Sequence, residues 1–229
     1  MLQAVFFDFD GVIANSEPLH LRAYQSVLRP AKINLGRDEY YQRYLGYDDE
    51  GLFRTLAKDR GLTIDAATID NWIVAKTAMI QTLLADPAIL FPGAAECVRM
   101  CADRVPVAVA SGALEPEINV VLEHAGLRKY FRAIASASDG VPGKPAPDLY
   151  LLAIRKLRQF AAIDPAACVA IEDSHWGLRA ARAAGLRTIA VTHTYPAAEL
   201  EEADVVVNDL GDVTVEELDR VLRDNSRTR

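Results

Sequence analysis

Basic charge is in short supply in this chain. Lys and Arg number 25 against 32 Asp and Glu, which leaves a net charge of −7 over 229 residues. No stripe concentrates the basic residues, so nothing resembles the electrostatic footprint of a nucleic-acid binder. An anionic small molecule remains compatible, because local charge at a site can differ from the global sum. Cysteine is scarce too. Cys97, Cys101 and Cys168 form an odd set with no zinc-ligand spacing; Cys97 and Cys101 fall one turn apart on a helix. This predicts reduced, mostly buried thiols in a cytoplasmic setting and excludes a disulfide framework. No apolar run approaches the length of a membrane span, so no membrane is expected as a partner. The N-terminal apolar run has no basic residue before it and is broken by Asp8 and Asp10, unlike a secretory signal. Repeats and low-complexity segments are also missing.

What is present is an ordinary globular composition, 51% hydrophobic and 25% charged, of a length that suits one large domain or one domain with an insertion. Short apolar runs recur at Leu2–Phe7, Val105–Ala110, Ala133–Ala137, Cys168–Ile171, Arg187–Val191 and Val205–Val207. Helical patterns separate most of them, for example Asp148–Phe160 and Gly177–Ala184. Such alternation predicts an α/β fold: a Rossmann-like parallel sheet with helices on both faces, its strands continuously apolar because both faces are covered. Residues 16 to 86 break this rhythm. They show helical stripes, one of Leu19, Ala23, Val27 and Leu28 and another of Ile69, Trp72, Ile73, Ile80 and Leu83, and no convincing strand. We read them as a small helical cap domain inserted after the first strand, with 1–15 and 87–229 forming the catalytic core. Asp86-Pro87 and Phe91-Pro92-Gly93 mark the return, and Asp224–Arg229 reads as a frayed tail.

The chemistry concentrates where strands should end. Open parallel sheets bind ligands outside the carboxyl ends of their strands. The first strand ends in Asp8-Phe9-Asp10-Gly11, a second in Ser111-Gly112 and a fourth in Glu172-Asp173; Lys144 follows another strand-end loop. Each is explicable singly, as a cap, a turn former or a solvated charge. Their coincidence at one edge suits phosphoryl transfer. Asp8, Asp10, Glu172 and Asp173 together form a hard-cation site fit for Mg²⁺. Asp8 would be the nucleophile and Asp10 the acid that protonates the leaving oxygen, then the base that activates water. Lys144, the Ser111 hydroxyl and the Gly112 N–H would hold phosphate oxygens.

The motifs Asp8–Val12 (D-F-D-G-V), Ser111, Gly143–Pro145 (G-K-P) and Glu172–Gly177 (E-D-S with a following Gly) occur in the order of the haloacid dehalogenase superfamily, which the chain resembles along most of its length. The resemblance implies a Rossmann-like core, a Mg²⁺ cofactor and these residue roles, and an insertion after the first motif implies a helical cap. Val12–His20 (V-I-A-N-S-E-P-L-H) follows the pattern of the β-phosphoglucomutase and sugar-phosphate phosphatase branch. Asp10 points to phosphate esters rather than carbon–halogen bonds, since halide leaves without a proton and the dehalogenases lack that Asp.

Within the expected cap, Lys76 falls at the centre of an apolar stripe. Either it snorkels past the edge or it meets an anionic or hydroxylated substrate, as a cap lysine does in similar proteins. His20 is either a satisfied core residue or, with an ordinary pKa near 6.5, a partner of Asp10 or the leaving group. Similar mutases hold a second phosphate with a cap arginine just after the glycine of Leu45-Gly46. Here Tyr47-Asp48-Asp49-Glu50 follows, and Arg43 is the remaining candidate substrate ligand. The leading expectation is a Mg²⁺-dependent phosphatase acting on a small phosphorylated metabolite, with a sugar phosphate as one candidate. The alternatives are a hexose-phosphate mutase and, more remotely, an Asp-phosphorylated signalling module. Oligomeric state is not legible.

Overall fold

A computed structural model of the chain describes residues 1–45, 47–84 and 89–223. The expectations placed on Gly46, Asp86-Pro87 and the tail Asp224–Arg229 fall outside the described residues. The chain divides into two compact units, one of Met1–Asn15 with Asp86–Arg229 and one of Ser16–Ala85.

Among the described residues the first unit holds six strands: β1 (Ala4–Phe7), β2 (Val107–Ala110), β3 (Phe131–Ala135), β4 (Cys168–Glu172), β5 (Arg187–Val191) and β6 (Val205–Val207). All pairings are parallel, in the order β3-β2-β1-β4-β5-β6. The predicted α/β class therefore holds. The third strand lies two residues earlier than the expected Ala133–Ala137. Phe131 pairs with Val107 across a local register shift, and Ala137 already begins a tight turn, Ala137–Asp139, capped by Ser136. The apolar run continues past the point where pairing stops, and pattern alone could not see that.

Register places the site. Phe7 lies opposite Val109 on one side and Ile171 on the other, so β1, β2 and β4 finish level. Asp8, Ser111 and Glu172-Asp173 consequently emerge along one edge. Beneath them Phe6, Ala108, Ala110 and Ala170 pack against Leu149, Tyr150, Ala153 and Leu157 of the helix Asp148–Leu157. Each large aliphatic side chain buried here contributes roughly 1.5–3 kcal/mol. This helix stops at Leu157, short of the expected Phe160, which stands exposed. The helix after β4 (His175–Ala183) starts at the Ser174 N-cap, whose hydroxyl accepts the Gly177 N–H at 3.1 Å.

The second unit is helical: α1 (Glu17–Leu28), α2 (Arg37–Glu39) running into a wider turn at Tyr40–Tyr44, α3 (Asp49–Asp59) and α4 (Ala66–Leu83). Asp48 and Asp65 cap α3 and α4 by accepting the N–H groups of Gly51 and Thr68, both at 2.7 Å. Its core gathers Tyr24, Tyr40, Tyr44, Leu52, Phe53 and Ile69. The buried face of α1 is Leu21, Ala23, Tyr24, Val27 and Leu28, a correction to the predicted stripe, in which Leu19 took the place of Leu21. Among the described residues no helix is long and apolar enough to cross a membrane.

Candidate active site

Asp8 leaves β1 still paired: its N–H donates to the Ile171 carbonyl at 3.0 Å. The side chain is buried, and its Oδ1 accepts the Phe9 N–H at 2.7 Å and stands 2.9 Å from Lys144 Nζ. The chain then turns sharply. Gly11 adopts φ +79°, and a Cβ there would overlap the Asp173 carboxylate, so glycine is required twice over. The Gly11 N–H donates to the Ala14 carbonyl at 2.9 Å and closes the turn, with Asp10 half-buried within it.

Lys144 bridges two carboxylates, with Nζ also 2.6 Å from Glu172 Oε1. The Tyr150 hydroxyl donates to the same oxygen at 2.5 Å. Burial lowers the Lys144 pKa, but the charges of Asp8 and Glu172 more than offset this and raise it overall, so the ammonium persists. Glu172 and Asp173 move the other way. Burial pushes both carboxyls well up, and the neighbouring Asp8 charge adds to it. Ser111 is buried, and its hydroxyl accepts the Ala113 N–H at 3.1 Å. Gly112 is exposed, with open space where a side chain would be.

Carboxylate oxygens of Asp8, Glu172 and Asp173 lie within 4.8 Å of one another. Glu172 Oε2 is buried with no hydrogen-bond partner. An all-oxygen set with an orphaned lone pair fits a hard divalent cation. With all three carboxyls ionised, they and the one ammonium leave two negative charges for a cation to neutralise. Asp10, expected as a fourth carboxylate ligand, lies outside this group of side chains.

The helical unit carries its own polar cluster. Lys76 does not snorkel: it is buried, pairs with Asp49 Oδ1 at 2.9 Å, and sits over the Tyr24 ring at 5.1 Å. The Tyr24 hydroxyl donates to the same Asp49 oxygen at 2.5 Å, and the Tyr40 hydroxyl to Glu17 Oε2 at 2.6 Å. Burial, reinforced by the Lys76 charge, lowers the His20 pKa to about 3. His20 is therefore neutral, a correction to the ordinary value expected for it. Arg43, expected as a substrate ligand, is instead committed to Asp59 at 2.7 Å on an exposed surface.

Two contributions escaped the sequence reading. Tyr150 sits in an apolar helical stripe, where a buried hydroxyl signals a polar partner. The segment Thr192-His193-Thr194 follows β5 at the same edge of the sheet and carries no motif that marks it in the sequence.

The sheet and its edge define a Rossmann-like α/β enzyme. A family model of haloacid dehalogenase-like hydrolases matches residues 2–185. The chain belongs to that family. It is 30% identical to the fructose-1-phosphate phosphatase YqaB of Escherichia coli K12, over 82% of this chain and 95% of that protein. It is 32% identical, over 95% of its length, to the chloroplastic protein SUPPRESSOR OF QUENCHING 1 of Arabidopsis thaliana, of which it spans 20%. The solved structure of CbbY from Rhodobacter sphaeroides in complex with phosphate superposes with a TM-score of 0.84 at 30% identity, covering 96% of this chain and all of that one. Within the family the chain falls in the branch of sugar-phosphate phosphatases and β-phosphoglucomutase-like proteins, and it is a phosphatase.

Proposed function

We propose that this phosphatase hydrolyses a small phosphorylated metabolite of the sugar-phosphate class through a phosphoaspartate on Asp8, with Mg²⁺ as cofactor. One observation carries the reading: the Lys144 ammonium joins Asp8 to Glu172 beside an orphaned Glu172 oxygen. A buried strand-end carboxylate so held is a fixed nucleophile whose neighbours call for a cation. The likeness to a fructose-1-phosphate phosphatase and to a phosphate-bound CbbY supports the substrate class.

Asp8, Glu172 and Asp173 would hold the ion, which supplies charge neutralisation for an anionic substrate. Asp8 Oδ attacks phosphorus in line while the ester P–O bond breaks. Asp10 gives its proton to the departing alkoxide. In the second step Asp10 takes a proton from water, whose oxygen attacks the same phosphorus and frees Asp8 and inorganic phosphate. Lys144, the Ser111 hydroxyl and the Gly112 N–H steady the equatorial oxygens. In the helical unit we assign His20 and the charge-balanced Lys76–Asp49 pair to contact with hydroxyl groups of the substrate, and the unit itself to the role of a cap.

A mutase would keep water from the phosphoaspartate and need a cation for a second phosphate. The charge of Lys76 is already balanced by Asp49, and that of Arg43 by Asp59. These pairs favour hydrolysis. Phosphorus NMR of the protein with Mg²⁺, fructose 1-phosphate and the glucose 1-phosphates distinguishes the readings. Net phosphate release is expected, and isomerisation outpacing release would overturn it.

A further inference from the structure

The loop after β5 reaches into the catalytic turn. His193 Nδ1 lies 2.8 Å from the Gly11 carbonyl oxygen. A carbonyl only accepts, so Nδ1 carries the proton and Nε2 bears the lone pair. Nε2 is buried without a hydrogen-bond partner. A second N–H there would find no acceptor, and burial accordingly lowers the His193 pKa and keeps the ring neutral. The imidazole stacks on Phe91, with centroids 3.9 Å apart and planes 14° from parallel. Phe91 in turn donates its N–H to the Ile13 carbonyl at 3.0 Å. One ring therefore grips both the turn and the segment that pairs with the turn's exit. The next residue continues the contact, since Thr194 hydrogen-bonds Asp173 through its side chain and stands against Gly11.

We propose that His193 is a positioning residue for the phosphatase reaction: its Nδ1–H, donated to the Gly11 carbonyl, fixes the turn that carries Asp10. Gly11 needs this because a glycine at positive φ has alternatives that other residues lack. A free Gly11 peptide would let Asp10 wander from the leaving oxygen, and small misplacements of a proton donor are expensive in rate. The motif's own backbone bonds, from the Gly11 N–H to the Ala14 carbonyl and from Ile13 and Ala14 to the Phe9 carbonyl, close the turn but leave the Gly11 carbonyl itself to His193. The inference rests on the reading of Asp10 as acid and base.

The test compares His193→Leu, which keeps apolar packing on Phe91 but loses the donor, with His193→Asn, whose Nδ2 replaces Nδ1. Two readouts are needed. Backbone amide hydrogen exchange at Gly11, Ile13 and Ala14 should speed up in the Leu variant and return towards wild type in the Asn variant. The kcat for fructose 1-phosphate should fall by about 10- to 100-fold in the Leu variant with KM nearly unchanged, and recover in the Asn variant. The loss should be smaller on 4-nitrophenyl phosphate, whose leaving group needs no proton. Unchanged exchange and kcat in the Leu variant would overturn the proposal. So would losses that Asn fails to rescue, because the ring stack alone would then explain them. If wild type hydrolyses neither ester, the phosphatase reading fails, while the exchange measurement still decides whether His193 restrains the turn.

Discussion

Lys76 Nζ and Asp49 Oδ1 form an ion pair at 2.9 Å in which the lysine side chain is 4% exposed and the aspartate 20%. The pair explains how a charge tolerates the centre of an apolar stripe. Breaking such a pair from one side leaves a stranded charge, which costs far more than the intact pair contributes. Lys76→Met should destabilise the protein by about 3 kcal/mol, read by urea unfolding. Adding Asp49→Asn should return most of that loss. A single variant as stable as wild type would show that Asp49 relaxes to water on its own.

The two aspartates of the first motif should separate cleanly. Asp8→Asn removes the proposed nucleophile from a strand end rather than from the core, so the thermal melt should persist while hydrolysis of both ester types is lost. Asp10→Asn should lose roughly 10²- to 10⁴-fold in kcat on an alkyl phosphate, and less on an aryl phosphate. Turnover by Asp8→Asn at the wild-type rate would rule out a phosphoaspartate on Asp8.

Metal binding should couple to pH through Glu172 and Asp173. Both carboxyls have folded pKa values raised by burial and by Asp8. Above the ordinary carboxylate range the folded protein thus binds more protons than the unfolded chain, and this contribution to stability falls as pH rises. A divalent cation removes the penalty by pairing with the ionised forms. The gain in Tm on adding Mg²⁺ to chelator-treated protein should therefore grow from about pH 5 to about pH 8. Phosphate release should cease in excess chelator. A gain in Tm that is flat with pH would place the ion elsewhere.

Gly177 lies in the first turn of the helix that begins at His175, and a Cβ there would overlap the Glu172 carboxylate. Alanine is the better helix former by about 1 kcal/mol, so with room available Gly177→Ala would stabilise. The overlap reverses the sign. We expect a lower Tm and a kcat reduced by about 100-fold, because Glu172 must leave Lys144. A raised Tm with unchanged activity would show that the carboxylate has somewhere else to go.

Much of this was legible in one dimension. Apolar runs such as Arg187–Val191 and Val205–Val207 read as strands because burial on both faces demands uninterrupted apolar residues. The edge of the sheet was legible for a related reason: polar residues that abruptly end such runs have few places to go except a ligand site. What pattern lacked was pairing. It extended the third strand to Ala137, where the ladder stops at Ala135, and it could not say that Lys144 would be shared between Asp8 and Glu172.

The sequence by itself determined the α/β class, the family and the candidate residues, since periodicity and motif order are properties of the chain. Only the tertiary structure decided their electrostatic state. Lys76 is neutralised by Asp49, Arg43 is taken by Asp59, Tyr150 serves Glu172, and His193 reaches Gly11 from 182 positions away. Charge state and hydrogen-bond partnership depend on distance and burial, and those exist only once segments remote in sequence are brought side by side.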